Sequence, residues 1–263
     1  MTALVAVEEL RRAYAAARAG AFRDRDCHAA SATTPPPVGS WTAAEGERVV
    51  LVAPCSQGAG ASTVALAIAT AAGAARVVEC CTASASALAG AADAELGRAS
   101  DGWVEGARGE VLLQRRGDRV AGPADLPSPP PGSVSVTVLD CGWAAEDLLG
   151  SRGWLGDLAR TLSTVVLVAR PTLPGLRRAE ITLALVGAER AHLVLVGMHP
   201  RRWPRTVDRA AGPLTRRLRA AGRITCLPFH AGLAVTGVTS EPLPVGVLRA
   251  ARSLFVVLEG ALP

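Results

Sequence analysis

The stretch Val49-Val50-Leu51-Val52-Ala53-Pro54-Cys55-Ser56-Gln57-Gly58-Ala59-Gly60-Ala61-Ser62-Thr63 decides how this chain folds. Its first five residues form a continuous apolar run, the pattern of a strand buried on both faces of a parallel sheet. Two glycines follow, and then an alanine-rich segment to Ala74 that predicts a helix. Strand, glycine turn and helix in this order let main-chain N–H groups converge on an anion at the helix N-terminus. The signature of a phosphate-binding loop is G-x-x-x-x-G-K-[ST], and Cys55, Gly60, Ala61 and Ser62 hold its defining places here. Gly58 and Gly60 can still wrap backbone around an anion, and Ser62, backed by Thr63, can offer an oxygen to magnesium. The lysine that would reach the outer phosphates is replaced by a methyl group. The expected cradle is Gln57, Gly58, Ala59, Gly60, Ala61, Ser62 and Thr63. A turn that merely joins strand to helix is the competing reading.

Working outward, the 263 residues are 49% hydrophobic and 19% charged, enough for one large α/β domain or one domain with an appendage. Aromatics make up only 3%, so the core is expected to consist of small aliphatic contacts between helices and a sheet. The formal charge is +5 and the chain contains no lysine, so every basic side chain is arginine. The cysteines, at 27, 55, 80, 81, 141 and 226, contain no C-x-x-C pair and imply a reducing, cytoplasmic setting. No charged-then-apolar export signal opens the sequence, and no apolar run reaches the roughly 18–20 residues needed to cross a bilayer.

Residues 1–22 read as an amphipathic helix, with Leu4, Val7, Leu10 and Tyr14 on one face, and 23–47 as a linker rich in Pro, Ser and Thr. The helix either packs on its own domain or docks on a partner or a membrane surface. The main domain is expected over 48–263. Further strands are predicted at 76–80, 111–114, 133–139, 164–169, 192–197 and 223–227. Helices are predicted at 174–190, 205–220 and 244–259, and a small-residue helix within 84–97. Alternating strands and helices predict one mostly parallel sheet.

Asp140 ends the apolar segment Val134–Leu139, where a carboxylate could hold a nucleotide's metal or cap a helix. Together with the loop, this makes residues 48–259 resemble the ParA/MinD family of deviant phosphate-loop ATPases, whose loop reads K-G-G-x-G-K-T-T. The resemblance continues through Val136-Thr137-Val138-Leu139-Asp140-Cys141-Gly142. It extends to Thr164–Pro171 and the following Thr172-Leu173-Pro174-Gly175-Leu176-Arg177-Arg178, similar to the family's strand, proline and arginine-bearing helix entry. It implies a three-layer α/β sandwich of the P-loop NTPase type, ATP and magnesium as cofactors, Ser62 and Asp140 as magnesium ligands, a homodimer and a protein partner.

The departures shape the functional expectation. Both family lysines are lost, at Ser56 and Ala61, and the first of the paired glycines is Gln57. The family's acidic pair after its second strand has only Glu79, with Cys81 beside it. The chain looks like a reduced member similar to pilus-localisation proteins of the TadZ/CpaE type and to septum-site proteins. This implies a non-hydrolysing or weakly nucleotide-binding scaffold in partition, septum placement or the positioning of a pilus or secretion machine. One alternative is an active ATPase in which Arg170, Arg177 or Arg178 replaces the lysines and Asp140 serves catalysis. Another is a non-specific DNA-binding module using Arg201, Arg202 and Arg205, since arginine suits phosphate oxygens. His28, His192, His199 and His230 are scattered without metal-ligand spacing, and no zinc site is expected. The last helix lacks a strongly basic face, so membrane anchoring is not expected.

Overall fold

The computed structural model describes residues 41–82, 85–132 and 134–260. The predicted N-terminal helix, and the linker as far as residue 40, lie outside them.

Among the described residues nine strands form one sheet: β1 (Arg48–Pro54), β2 (Ala75–Cys80), β3 (Ala94–Arg98), β4 (Trp103–Arg108), β5 (Val111–Arg116), β6 (Val136–Cys141), β7 (Val165–Ala169), β8 (Ala191–Val196) and β9 (Ile224–Leu227). Their spatial order is β3-β4-β5-β2-β6-β1-β7-β8-β9. From β5 to β9 every pairing is parallel, while β3, β4 and β5 form an antiparallel meander at one edge.

Helices cover both faces, as a parallel sheet requires. Against one face lie α1 (Ala61–Ala72) and α8 (Val245–Glu259), whose Val64, Leu66, Ile68, Val247, Ala251 and Leu254 pack on Val50, Val52, Val138, Val166 and Val194. The other face carries α2 (Ala145–Gly150), α3 (Trp154–Thr161), α4 (Leu173–Val186), α5 (Arg205–Ala210) and α6 (Pro213–Ala220), packed on Leu51, Leu139, Leu167 and Leu193. A short exposed helix, α7 (Ala231–Thr236), follows β9. The result is the expected three-layer α/β sandwich.

Residues 41–47, placed at the end of the linker by composition, pack on this domain. Trp41 lies 5.5 Å from Trp154, ring centre to ring centre. Glu47 pairs with Arg76 at 2.8 Å, both side chains almost wholly buried. The Arg76 guanidinium also donates to Thr137 Oγ1 at 2.6 Å and to the Pro130 carbonyl at 2.6 Å. A buried ion pair survives only when its remaining donors are satisfied in this way.

The expectations for three helices are corrected. Within 84–97 the described residues form no α-helix; Ala94–Arg98 is instead strand β3, paired with β4 through a bulge between Glu95 and Gly97. Alanine's helix preference yields there to cross-strand pairing. The region around Trp103 is a strand too, with the indole buried and donating to the Ser128 carbonyl at 3.1 Å. The single helix expected over 205–220 is two, because Pro213 removes an N–H and forces Gly212 into an extended conformation. The Glu180 carboxylate caps the second of these by accepting from Leu214 N at 2.6 Å and Thr215 N at 3.1 Å. The helix expected over 174–190 stops at Val186, where Gly187 takes φ +94°.

Candidate functional site

Strand β1 is flanked by β6 and β7. The chain leaves β1 through α1 towards β2 on one side, whereas β6 reaches β7 on the other side through α2 and α3 on the opposite face. The crevice at the carboxyl end of β1 is therefore a topological switch point, the place where open α/β sheets bind ligands. The register sets what surrounds it. Val52 pairs with Asp140 of β6, and Pro54 with Val168 of β7, so Arg170 emerges two residues beyond that pairing.

The loop between β1 and α1 is held at both ends. Cys55 N donates to the Val168 carbonyl at 2.8 Å and Ala59 N to the Ser56 carbonyl at 3.2 Å. Gly58 and Gly60 take φ +71° and +99°, a region that side-chain-bearing residues rarely enter. Gly60 is also the N-cap of α1, and no side chain caps that helix. The first-turn N–H groups, which have no partner within a helix, are thus left for a ligand. A Cβ added to Gly58 would meet no atom within 4 Å, so the turn faces open space.

That space is a cavity of about 320 Å³ bordered by every residue from Gln57 to Thr63, and by Cys81, Asp140, Arg170 and the Phe229–His230 segment. Its volume falls within the roughly 300–1,000 Å³ of small-molecule sites. The seven residues expected to form the cradle therefore line one cavity, with Asp140 on its wall. Arg201, Arg202 and Arg205 do not line it; they are exposed, in the turn before α5 and at its first residue. Arg178 lies with Ser56 and Trp143 on a separate cavity of about 250 Å³, and Arg177 lines neither.

Asp140 is 3% exposed and accepts a hydrogen bond from Ser62. Burial pushes its carboxyl up from the ordinary 3.8 to about 7, with the Ser62 bond pulling down and the charge of Glu79 pushing up. Glu79, its partner in the β2–β6 register, is otherwise engaged. Its carboxylate accepts from Ala87 N at 2.8 Å, Leu88 N at 3.0 Å and Ser86 Oγ at 2.7 Å, pinning that loop to the sheet. Burial pushes the Cys55 thiol up to about 12 and raises that of Cys81 as well, favouring the protonated form of both. Among the described residues no three histidine, cysteine or carboxylate side chains converge on a metal position. His199 and His230 cap turns through Nδ1, which accepts from Arg201 N at 3.2 Å and Leu233 N at 3.3 Å respectively. The donor set present suits an anion held by main-chain N–H groups, with Ser62 and Asp140 able to share a hard divalent cation.

Two contacts about the loop escaped the sequence. Gln57 Nε2 donates to the Gly142 carbonyl at 3.2 Å, tying the loop to the end of β6. Phe229 and His230 reach the cavity from the far side of β9, and no residue pattern marks them. The usable signal was topological, since the chain beyond β9 leaves the same edge of the sheet as the loop.

Neither a family model nor a curated protein matches this chain. Solved structures do share its fold. A plasmid partition protein from Borrelia burgdorferi bound to AMPPNP superposes with TM-score 0.53 and 10% identity, over 81% of this chain and 99% of that one. The MinC:MinD cell division complex of Aquifex aeolicus gives 0.51 and 16%, over 80% and 96%. The cell division ATPase MinD of Pyrococcus furiosus gives 0.50 and 15%, over 81% and 98%. The fold is that of the ParA/MinD-like P-loop ATPases. Among the described residues no helix is long and apolar enough to cross a membrane.

Proposed function

We propose that this chain, built on the ParA/MinD-like fold, is a nucleotide-binding scaffold that holds a nucleoside polyphosphate through main-chain amides and turns it over slowly or not at all. One observation carries the reading. The uncapped start of α1 and the two left-handed glycines keep the shape of an anion cradle, yet Ala61 stands in the lysine's place and the loop itself contains no cationic side chain.

The residues present fit magnesium and ATP. Gln57 to Thr63 would surround the phosphates, and Ser62 and Asp140 would hold the metal or its water shell. Bound magnesium would neutralise charge on the outer phosphates. Asp140 must give up its proton for that role, so its raised pKa makes metal capture weaker below neutral pH. Loss of a phosphate-directed cation typically costs phosphoryl transfer about 10³-fold or more. Nucleotide here then serves as a signal of state. Partition, septum placement and the positioning of a pilus or secretion machine are processes served by such a scaffold, acting through a protein partner or a second copy.

Phosphate release from magnesium ATP tests this against the enzyme reading. Release by the full chain should equal that of Asp140→Ala, both near the protein-free background. Sustained release that disappears in Asp140→Ala would establish an ATPase and overturn the scaffold.

A further inference from the structure

The loop has no cation of its own, but the wall of its cavity has one. Arg170 follows the end of β7 and is half-buried. Its Nε donates to the Gly58 carbonyl at 3.3 Å, and its guanidinium lies 5.4 Å from the centre of the Phe229 ring. It therefore touches both lips of the cavity, the glycine loop and the segment beyond β9. None of the ion pairs among the described residues involves it. A guanidinium carries five N–H donors, and among the described residues only the one on Nε has a hydrogen-bonding partner.

Its position is fixed by packing. A Cβ at Gly175 would clash with the Arg170 carbonyl, so glycine there lets the start of α4 close onto Arg170. Thr172 caps that helix by accepting from Gly175 N at 3.2 Å. The backbone that follows Arg170 is thereby set, and among the described residues its guanidinium has no ion-pair partner.

The geometry points to Arg170 as the phosphate-binding cation of this site, supplied from the end of β7 in place of the lysine missing from the loop. The ligand class is a polyphosphate, free or carried by a nucleoside. A planar fork suits two phosphate oxygens better than a single point charge does. Phe229 holds the guanidinium from behind by a cation–π contact. This rests on the proposed nucleotide-holding role, whose cradle Arg170 completes without restoring the lysine's place beside Ser62.

Equilibrium dialysis of the full chain against magnesium ATP and against magnesium tripolyphosphate, with Arg170→Gln and Arg170→Lys alongside, tests the assignment. Affinity for whichever polyphosphate binds should fall about 10-fold or more in Arg170→Gln, as for losing a hydrogen bond to a charged group, and by clearly less in Arg170→Lys, which keeps the charge but not the fork. Added sodium chloride should weaken binding to the wild type more steeply than to Arg170→Gln, which a structural role alone would not produce. Tighter binding of ATP than of tripolyphosphate would identify the nucleoside as part of the ligand, and equal binding would identify the polyphosphate alone; a loss in Arg170→Gln supports the assignment with either. If the wild type binds and Arg170→Gln binds equally well, or Lys and Gln lose equally, the assignment to Arg170 fails while the cradle stands. If the wild type binds neither compound, the cradle fails and the assignment with it.

Discussion

Lysine in place of Ala61 is expected to tighten binding of magnesium ATP by about 10- to 100-fold, the worth of one hydrogen bond to a charged group. Ala61 is the first residue of α1, is 9% exposed and lines the cavity beside Gly60 and Ser62. An ammonium group projecting from there would meet an anion seated on the loop. Without ligand the same group would be half-desolvated in a cavity that already holds the Arg170 guanidinium, so the empty Ala61→Lys protein should melt earlier than the wild type. Saturating nucleotide should reverse that order, because a ligand that binds only the folded state stabilises it in proportion to ln(1 + [L]/Kd). Melting curves with and without nucleotide read both effects. Unchanged affinity in Ala61→Lys would mean that an anion does not sit where the loop points.

The second large effect concerns Asp140. A carboxyl whose folded pKa is about 7, against an ordinary 3.8, favours its protonated form in the fold. Its contribution is then fully present below about pH 4 and is lost as pH rises through 7, the reverse of an ordinary salt-bridged aspartate. Asparagine at 140 carries no proton to lose. In metal-free buffer Asp140→Asn should match the wild type near pH 4 and exceed it by about 3–4 kcal/mol at pH 8. His192 titrates in the opposite sense. Burial, with the nearby Arg223 charge, pushes it down to about 4, so it stabilises above its unfolded pKa and loses that as pH falls. Because both proteins contain His192, it cancels in the difference. Urea midpoints taken from pH 4 to pH 8 give the comparison, and a difference independent of pH would refute the buried, proton-holding Asp140.

Much of this was legible in the residues because the decisive segments are local. The apolar run Val49–Ala53 and the glycines after it read directly as strand and loop, and the structure places them so. Parallel strands buried on both faces leave the same continuous apolar signal at β6, β7 and β8. The meander strand β3 left no such signal. All five of its residues are exposed, and its pairing partner, not its composition, makes it a strand. At the site, the loop and Asp140 were visible as pattern. Arg170 was one of three candidates by order along the chain; only the pairing of β1 with β7 brings it, and not Arg177 or Arg178, to the cavity. Phe229 was silent because its role comes from β9 ending at the same edge of the sheet.

On the proposed reading, main-chain amides at residues 57–63 hold polyphosphate without the lysines that drive turnover. A calorimetric titration of the full wild-type chain with magnesium ATP tests it most directly, since binding heat and the steady heat of hydrolysis are separable in one trace. Saturable one-to-one binding with no steady heat flow after each injection is the expected result. No binding heat at millimolar nucleotide, or a sustained hydrolytic signal, would contradict it.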